Sequence, residues 1–304
     1  MQILHYTDQY VIVKNILQLS IMRFEGLKRM KRLTAWFLVL SMVLTLGILQ
    51  AGCGASSSKE FKVGLECGYA PFNWTQTDAS NGGVKIAGSS EYAGGYDVEI
   101  AKLIAKGLGK ELVIVKTAWD GLPPAVQAGT IDAIIAGMSP TAERKQTIDF
   151  TDAYYRSDLV LVVKKGSAFE KATSIQDFSG AKITAQLNTF HYSVIDQIKG
   201  VLKQTAMDDF PAMRVALEAG MIDAYVSEKP EGVSAVAANS KFAMVEFAKG
   251  KGFTASDDDV AVAVGLKKGQ ADLIKKINTI LAGITEDQRK QLMDAAIKNQ
   301  PAGK

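Results

Sequence analysis

The chain has 304 residues, enough for about two domains, and its 47% hydrophobic content is typical of globular proteins. Residues 1–52 hold six basic and two acidic side chains, so the rest of the chain, with 29 basic and 30 acidic side chains, has a net charge of about −1. Such a domain lacks the positive charge that dominates nucleic-acid binding, and two histidines with two cysteines are too few for a zinc site or a disulfide framework. We therefore predict no nucleic-acid partner, no metal and no cofactor.

The first predicted element is an export signal. Residues 33–58 carry no charge and follow a cluster of basic residues, which is the pattern of a charged n-region and an apolar h-region. The run ends in Gln50-Ala51-Gly52-Cys53 and a serine-rich stretch, which resembles a bacterial lipoprotein signal, with Gln50 where that pattern usually has leucine. We expect residues 1–52 to be a signal peptide, with translation starting at Met1 or Met30, and residues 53–60 to be a lipidated Cys53 and a tether. An uncleaved transmembrane anchor is the alternative.

Beyond the tether, short β-branched runs alternate with helical patterns. This alternation is typical of α/β domains with parallel strands. The predicted strands are 62–65, 112–115, 133–136, 159–163, 182–185, 224–226 and 260–265. The predicted helices are 98–106, 122–128, 190–198, 212–219, 232–238, 270–281 and 286–299.

An internal repeat divides this part of the chain into two similar portions. Residues 125–133 recur 91 residues later as residues 216–224, and each copy predicts a helix that ends at a glycine, Gly129 or Gly220, followed by a buried strand. Two copies predict two lobes built on one scheme, and chance similarity of a common turn is the alternative. Because ligands of open α/β sheets bind beyond the carboxyl ends of strands, the two strand ends are expected to face one cleft.

The segment after the first repeat strand is a candidate anion site. Ser139 and Pro140 are typical of a helix N-cap and first helical position, which would direct free backbone amides toward the strand end. Arg144, early on that predicted helix, could present a bidentate fork to a carboxylate. The alternative is an exposed arginine on an ordinary capped helix.

Other strand ends carry further candidate ligand contacts. The Thr189 hydroxyl and nearby backbone amides open a predicted helix, and Glu228 ends a strand as an acceptor for an ammonium group. The loops after the first two strands carry Glu66, Tyr69 and Trp119. Capping, surface and core roles are the alternatives for these residues. We expect His191 to be structural and Cys67 to be a partly buried free thiol.

Five motifs in the same order and spacing give the chain a family resemblance. Together they resemble the polar-amino-acid-binding extracellular solute-binding proteins of ABC importers, from about residue 61 to residue 299. The motifs are Tyr69-Ala70-Pro71-Phe72, residues 95–101, residues 131–133 with 137–144, residues 150–155, and Gly265-Leu266.

The resemblance implies an α/β, two-lobed periplasmic-binding-protein (Venus-flytrap) fold with two crossing hinge strands. Lobe one would comprise residues 61–155 and 262–304, and lobe two residues 156–261. The chain would be a monomer, lipid-anchored outside the cell membrane or periplasmic, that delivers a free L-amino acid to ABC permease subunits. A cyclohexadienyl-type dehydratase and a ligand-sensing module on the same fold are the alternatives, although no acidic residue is left over to serve as a dehydratase's general acid.

The resemblance also implies roles for individual residues. The α-carboxylate would bind Arg144, Ser139, the amide of Gly137, Thr189 and the amide of Phe190; the α-ammonium would bind Glu228; Tyr69 and Trp119 would flank the side chain and Glu66 would face its tip. Three positions depart from the family pattern: Gly137 replaces a serine of some members, Asn188 a common glycine, and Glu228 the usual aspartate. A carboxylate at Glu66 predicts a basic amino acid, arginine or lysine.

Overall fold

The computed structural model describes residues 59–301. The predicted signal peptide and the lipidation site Cys53 lie outside these residues. The strands are β1 (Glu60–Leu65), β2 (Gly68–Tyr69), β3 (Asn73–Gln76), β4 (Val84–Lys85), β5 (Tyr92–Gly94), β6 (Glu111–Lys116), β7 (Ala133–Ile134), β8 (Ile148–Arg156), β9 (Leu159–Lys164), β10 (Lys182–Thr184), β11 (Leu202–Lys203), β12 (Ala224–Glu228), β13 (Phe242–Val245) and β14 (Ala261–Lys267). The α-helices are α1 (Tyr96–Gly107), α2 (Leu122–Ala128), α3 (Arg144–Thr147), α4 (Phe190–Val194), α5 (Phe210–Ala219), α6 (Lys229–Ala238), α7 (Ala271–Ala282) and α8 (Glu286–Asn299).

Two five-stranded sheets of equivalent topology form the framework. Their strand orders are β6-β1-β7-β14-β8 and β11-β10-β12-β9-β13. In each sheet the first three strands are parallel and the last two pair antiparallel to their neighbours. The equivalence confirms the α/β fold with two similar parts that the internal repeat predicts.

The chain passes between the two sheets twice. It leaves the first sheet at Arg156 and enters the second at Leu159, then leaves the second at Val245 and re-enters the first at Ala261. We refer to residues 59–156 and 261–301 as the first half and to residues 159–245 as the second half. Strands β9 and β14, which directly follow the two crossings, are buried over most of their length.

The repeated helix–strand unit has the same geometry in both halves. Helix α2 ends at Gly129 with φ 77°, and α5 ends at Gly220 with φ 76°. Both glycines lie in the left-handed region that ends helices and that residues with a Cβ disfavour. The C-caps predicted from the sequence are confirmed at both positions.

An aspartate in each repeat anchors the following strand to its neighbour. The Asp132 carboxylate accepts the amide of Lys62 at 2.8 Å, and the Asp223 carboxylate accepts the amide of Lys182 at 2.8 Å. In the same two places the aspartate amide donates to the lysine carbonyl, also at 2.8 Å. The backbone amide and carbonyl of Lys62 and of Lys182 are thereby both bonded to the aspartate.

The seven strands and the seven helices predicted with residue ranges are present; helices 122–128 and 286–299 have the predicted ends, and the other elements have shifted ends. The four-stranded sheet β2-β3-β5-β4 was not predicted, because its strands have only two to four residues and show no clear periodicity. Strand β8 was not predicted from the pattern of residues either, because polar and half-exposed positions interrupt its apolar ones. Within residues 59–301, no helix is both long and apolar enough to cross a membrane.

Candidate functional site

Side chains that follow strands of both sheets meet around one cavity. In this conformation the cavity has a volume of about 10 Å³, room for about one water molecule. Seven of the nine residues predicted to bind the ligand line it, whereas Glu66 and Glu228 do not. The lining residues are Tyr69, Trp119, Gly137, Ser139, Arg144, Gln186, Thr189, Phe190, His191 and Phe210.

The predicted helix at Ser139 is wrong. Helix α3 begins only at Arg144 and has four residues. The Thr141 amide donates to the Ser139 carbonyl at 2.9 Å, which closes a tight turn, and the Ser139 hydroxyl donates to the Asp259 carbonyl at 2.8 Å. Ser139 is therefore no N-cap, and a helix terminus does not supply an anion site here.

Arg144 spans the cavity with its guanidinium group. Nη1 donates to the Ser139 carbonyl at 3.0 Å, Nη2 donates to the Asn188 carbonyl at 2.9 Å, and the guanidinium carbon lies 5.0 Å from the centre of the Trp119 ring. Burial lowers the pKa of Arg144 to about 10, so it remains charged at neutral pH. A guanidinium has five N–H donors, and these two bonds leave donors available for a carboxylate.

Gly137 is held by a chain of buried hydrogen bonds. Its amide donates to the Tyr154 hydroxyl at 3.3 Å, and that hydroxyl donates to Asp97 at 2.7 Å, while Asn73 donates to the other Asp97 oxygen at 2.9 Å. The φ of Gly137 is 64°, and a Cβ built there would lie 2.6 Å from the Tyr69 ring. A serine would clash at this position in this conformation, which explains the departure from the family pattern.

The two aromatic side chains predicted to flank a ligand already have ring partners. Tyr69 stacks on Phe72 with ring centroids 4.9 Å apart and on Phe210, from the second half, at 4.3 Å. Trp119 lies against Arg144. In this conformation Phe210 therefore stacks on Tyr69, the ring that the prediction places beside the ligand side chain.

Glu66 is buried beside the cavity and bonds across to the second half. One carboxylate oxygen accepts Gln186 Nε2 at 2.9 Å, and the other has no hydrogen-bond partner among residues 59–301. Burial, with smaller contributions from the nearby charges of Asp209 and Asp97, raises the pKa of Glu66 to about 7, although the bond from Gln186 acts to lower it. Ionisation of Glu66 would be favoured by a cation brought next to it.

The second-half loop before α4 contributes Asn188 and Thr189. Asn188 has φ 54°, in the left-handed region that favours glycine, and its Nδ2 donates to Asp120 at 2.9 Å. The Thr189 hydroxyl donates to the Gln186 carbonyl at 2.6 Å. The Phe190 amide opens the short helix α4, so this loop aligns backbone donors with the Thr189 side chain at the cavity.

Glu228 lies behind His191 at the end of β12. Glu228 is 2% exposed, and its Oε1 lies 3.2 Å from His191 Nε2. Burial raises the pKa of Glu228 to about 8 and lowers the pKa of His191 to about 3, with the Arg144 charge adding to the latter effect. His191, predicted to be structural, lies on the cavity wall.

Sequence reasoning missed three lining residues, Gln186, His191 and Phe210. The first two flank the Asn188-Thr189 turn after a predicted strand, so their polarity at a strand end was a usable signal. Phe210 begins α5 and offers no such signal in the sequence. Cys67 is a free and buried thiol, and burial raises its pKa to about 12.

The contacts around the cavity join the first half to the second half. Residues after strands of the first sheet bond to or stack on residues of the second. The pairs are Arg144 with Asn188, Asp120 with Asn188, Glu66 with Gln186, and Tyr69 with Phe210. The described conformation is therefore a closed one.

Residues 61–297 match the family model of the bacterial extracellular solute-binding proteins, family 3. A probable histidine-binding protein of Campylobacter jejuni is 32% identical over 249 residues, which cover 80% of this chain and 86% of that protein. The L-cystine-binding protein TcyJ of Escherichia coli K12 is 30% identical over 226 residues, or 74% of this chain and 77% of that protein.

Solved structures with the same fold are also similar. An amino acid ABC transporter substrate-binding protein from Streptococcus pneumoniae, bound to L-arginine, has a TM-score of 0.69 and 26% identity, with 79% of this chain and 94% of that one covered. An ancestral arginine-binding protein bound to glutamine has a TM-score of 0.64 and 28% identity, with 80% and 96% covered. The predicted two-lobed fold is confirmed.

Proposed function

We propose, from the premise that this chain belongs to family 3 of the bacterial extracellular solute-binding proteins, that it binds a free, basic amino acid for import by an ABC transporter. The observation that carries this proposal is the meeting of seven predicted ligand contacts, from both halves, around one cavity that contains the Arg144 guanidinium. The family and the relatives reported above are transport solute-binding proteins and not enzymes. No observation favours a dehydratase or a sensor.

The backbone of the amino acid would bind through its two charges. Arg144 and the amides of Ser139 and Phe190 would hold the α-carboxylate. The amide of Gly137 and the hydroxyls of Ser139 and Thr189 would join them by exchanging the bonds that they donate within the protein in the described conformation. Glu228 would hold the α-ammonium. A hydrogen bond to a charged group contributes about 1.5–3 kcal/mol, and micromolar affinity needs about 8 kcal/mol, so a few such contacts suffice.

The two halves would act as the two lobes of a clamp. The proposed lobes are residues 61–155 with 262–304 and residues 156–261, and the chain crosses between the sheets near both boundaries. An amino acid favours the closed form only to the extent that it contacts both lobes. The positions of Arg144 and Thr189 in different halves support this mechanism.

The choice of a basic amino acid depends on Glu66. One oxygen of this buried carboxylate lacks a partner within the described part of the chain, and acidic neighbours surround it. A guanidinium or ammonium group would pair with it, whereas a neutral side chain would leave it unpaired and an acidic one would be repelled. We propose arginine or lysine ahead of glutamine, with histidine and cystine as weaker ligands.

The site of action would be outside the cytoplasmic membrane. We propose that residues 1–52 are removed, that Cys53 is lipidated, and that residues 53–60 tether a monomeric domain to the membrane near its permease. Two or more acyl chains would hold it stably at the surface.

The experiment that tests the function is a thermal-unfolding screen of the full chain against the twenty amino acids at pH 8. A ligand at a hundred times its Kd stabilises the native state by about 2.7 kcal/mol, which for a domain of this size raises Tm by about 5–11 °C. We expect arginine or lysine to give the largest increase. If glutamine gives the largest increase, the specificity is wrong; if none of the twenty raises Tm, the proposed function is wrong.

A further inference from the structure

A buried pair of titratable side chains lies between the cavity and the second sheet. His191 is 5% exposed and lines the cavity, and neither of its ring nitrogens makes a hydrogen bond with the residues that the structure describes. Its Nε2 is 3.2 Å from Glu228 Oε1, and within the same residues Glu228 Oε2 has no partner. Buried polar groups are normally hydrogen-bonded, so the missing hydrogen bonds of these two side chains indicate that a further group binds to them.

The pair belongs to the second half alone. His191 lies on α4, which follows β10, and Glu228 ends β12, which pairs with β10 in the second sheet. The pair therefore does not require contact between the halves. It can form before any amino acid binds and before closure.

The charged groups around the pair come from three neighbouring elements. Arg144, on α3, acts on His191 across the cavity, and Glu231, on α6, acts on Glu228 from behind. Glu231 is itself held by Arg214 of α5, at 2.8 Å, and by the Tyr225 hydroxyl, at 3.1 Å. The cation Arg144 and the anion Glu231 thus face opposite members of the pair.

We propose that His191 and Glu228 form one ammonium site that holds a single proton between them, and that a bound amino acid expels this proton. The inference rests on the proposed function, because it assigns the α-ammonium to this pair. It makes His191 a ligand-contacting residue, a role that the sequence did not indicate.

The charge balance of the closed site requires the expulsion. With one shared proton the pair has no net charge, whether that proton resides on the imidazole or on the carboxyl group. The α-ammonium needs an ionised Glu228 and a neutral His191, because an imidazolium 3.2 Å from the carboxylate would compete with it. One proton therefore leaves the pair for solvent as the ammonium arrives, and no other bond changes.

Because binding releases a proton, the affinity for the amino acid increases as pH rises. Where the free pair holds its proton and the bound pair does not, the association constant rises tenfold for each pH unit. Burial disfavours the charged form of both members: it raises the pKa of Glu228 to about 8 and lowers that of His191 to about 3, so between these values the free pair holds one proton, on the Glu228 carboxyl group. Binding should thus weaken as pH falls from 8 to 6.

The experiment is isothermal titration calorimetry of the full chain with L-arginine at pH 6.5, in two buffers of different ionisation enthalpy. The dependence of the measured heat on the buffer gives the number of protons released. We expect His191→Gln to release fewer protons than wild type, because the glutamine amide can donate to the Glu228 carboxylate and so favours its ionised form before binding. Any proton that Glu66 loses is common to both proteins and cancels in the difference.

The matched control is Glu218→Gln, which removes an exposed titratable side chain of the second half that does not line the cavity, and it should match wild type. His191→Asn provides a second variant if the glutamine variant does not fold. Equal proton release in wild type and both His191 variants would overturn the proposal, as would wild-type binding with fewer than about 0.2 protons released. These outcomes still require arginine to bind, whereas failure of the proposed function would appear as no binding of any amino acid at pH 8.

Discussion

Replacement of Arg144 by alanine is the most direct test of the carboxylate site. The substitution removes two hydrogen bonds to backbone carbonyls, one on each side of the cavity, and the ring contact with Trp119. It leaves the strands of both sheets untouched, because Arg144 begins a helix of only four residues at the cavity. The fold is expected to persist while binding weakens.

The magnitude follows from the unpaired charge that the substitution would leave. Truncation of one partner of a buried, hydrogen-bonded charge pair costs about 2–5 kcal/mol of binding energy. At about 1.4 kcal/mol per tenfold change in affinity, Kd should rise by about 30-fold to a few thousand-fold. Arg144→Lys should fall between wild type and alanine, because lysine keeps the charge and loses the planar fork.

Calorimetry with the amino acid that stabilises the wild type most is the assay. Arg156→Ala is the matched control, since Arg156 also donates to a backbone carbonyl, that of Asp257 at 2.7 Å, but does not line the cavity. We expect this control to stay within about twofold of wild type. A tenfold or smaller loss for Arg144→Ala would refute the role of Arg144 as the carboxylate ligand.

Three further predictions concern specificity, stability and anchoring. Glu66→Gln should weaken arginine and lysine binding at least about tenfold and spare glutamine in competition calorimetry; unchanged arginine affinity would contradict the assignment. Asp132→Ala and Asp223→Ala should each lower the free energy of unfolding by about 1–3 kcal/mol in urea titrations, because each removes the acceptor of a backbone amide in the neighbouring strand, and losses under about 0.5 kcal/mol would contradict this. Cys53→Ala should release the protein from membranes or leave an unprocessed precursor in fractionated cells, and membrane retention at mature size would exclude lipid anchoring.

The elements that the sequence predicts well are those whose local pattern and burial agree. Helix α2 matches its predicted bounds because a proline near its start and Gly129 at its end mark both termini. Apolar runs such as 159–163 are buried throughout, which makes them recognisable as strands. The small sheet β2-β3-β5-β4 lacks such runs, and its pairing depends on contacts between short segments.

The sequence predicts the site residues that follow strand ends, but not those that reach the cavity through tertiary contacts. Tyr69 and Arg144 follow strand ends, so topology brings them to the cavity. Phe210 reaches Tyr69 only because the two halves meet, and no local pattern contains that information. Ser139 has the sequence of a helix cap, but its hydroxyl bonds to the Asp259 carbonyl instead, a tertiary contact that local propensity does not reveal.

The contacts that join the two halves affect how much ATP is hydrolysed for each amino acid imported. They are made between protein groups alone, as in the bonds of Asn188 to Arg144 and Asp120, so they lower the free energy of closure before cargo arrives. A larger closed fraction of the unliganded protein raises the apparent affinity for the amino acid, because less binding free energy is needed to close the two halves. It also means that the permease encounters closed protein without a bound amino acid. If the permease responds to closure itself, we expect the strength of the Asn188 contacts to set how much ATP is hydrolysed without import.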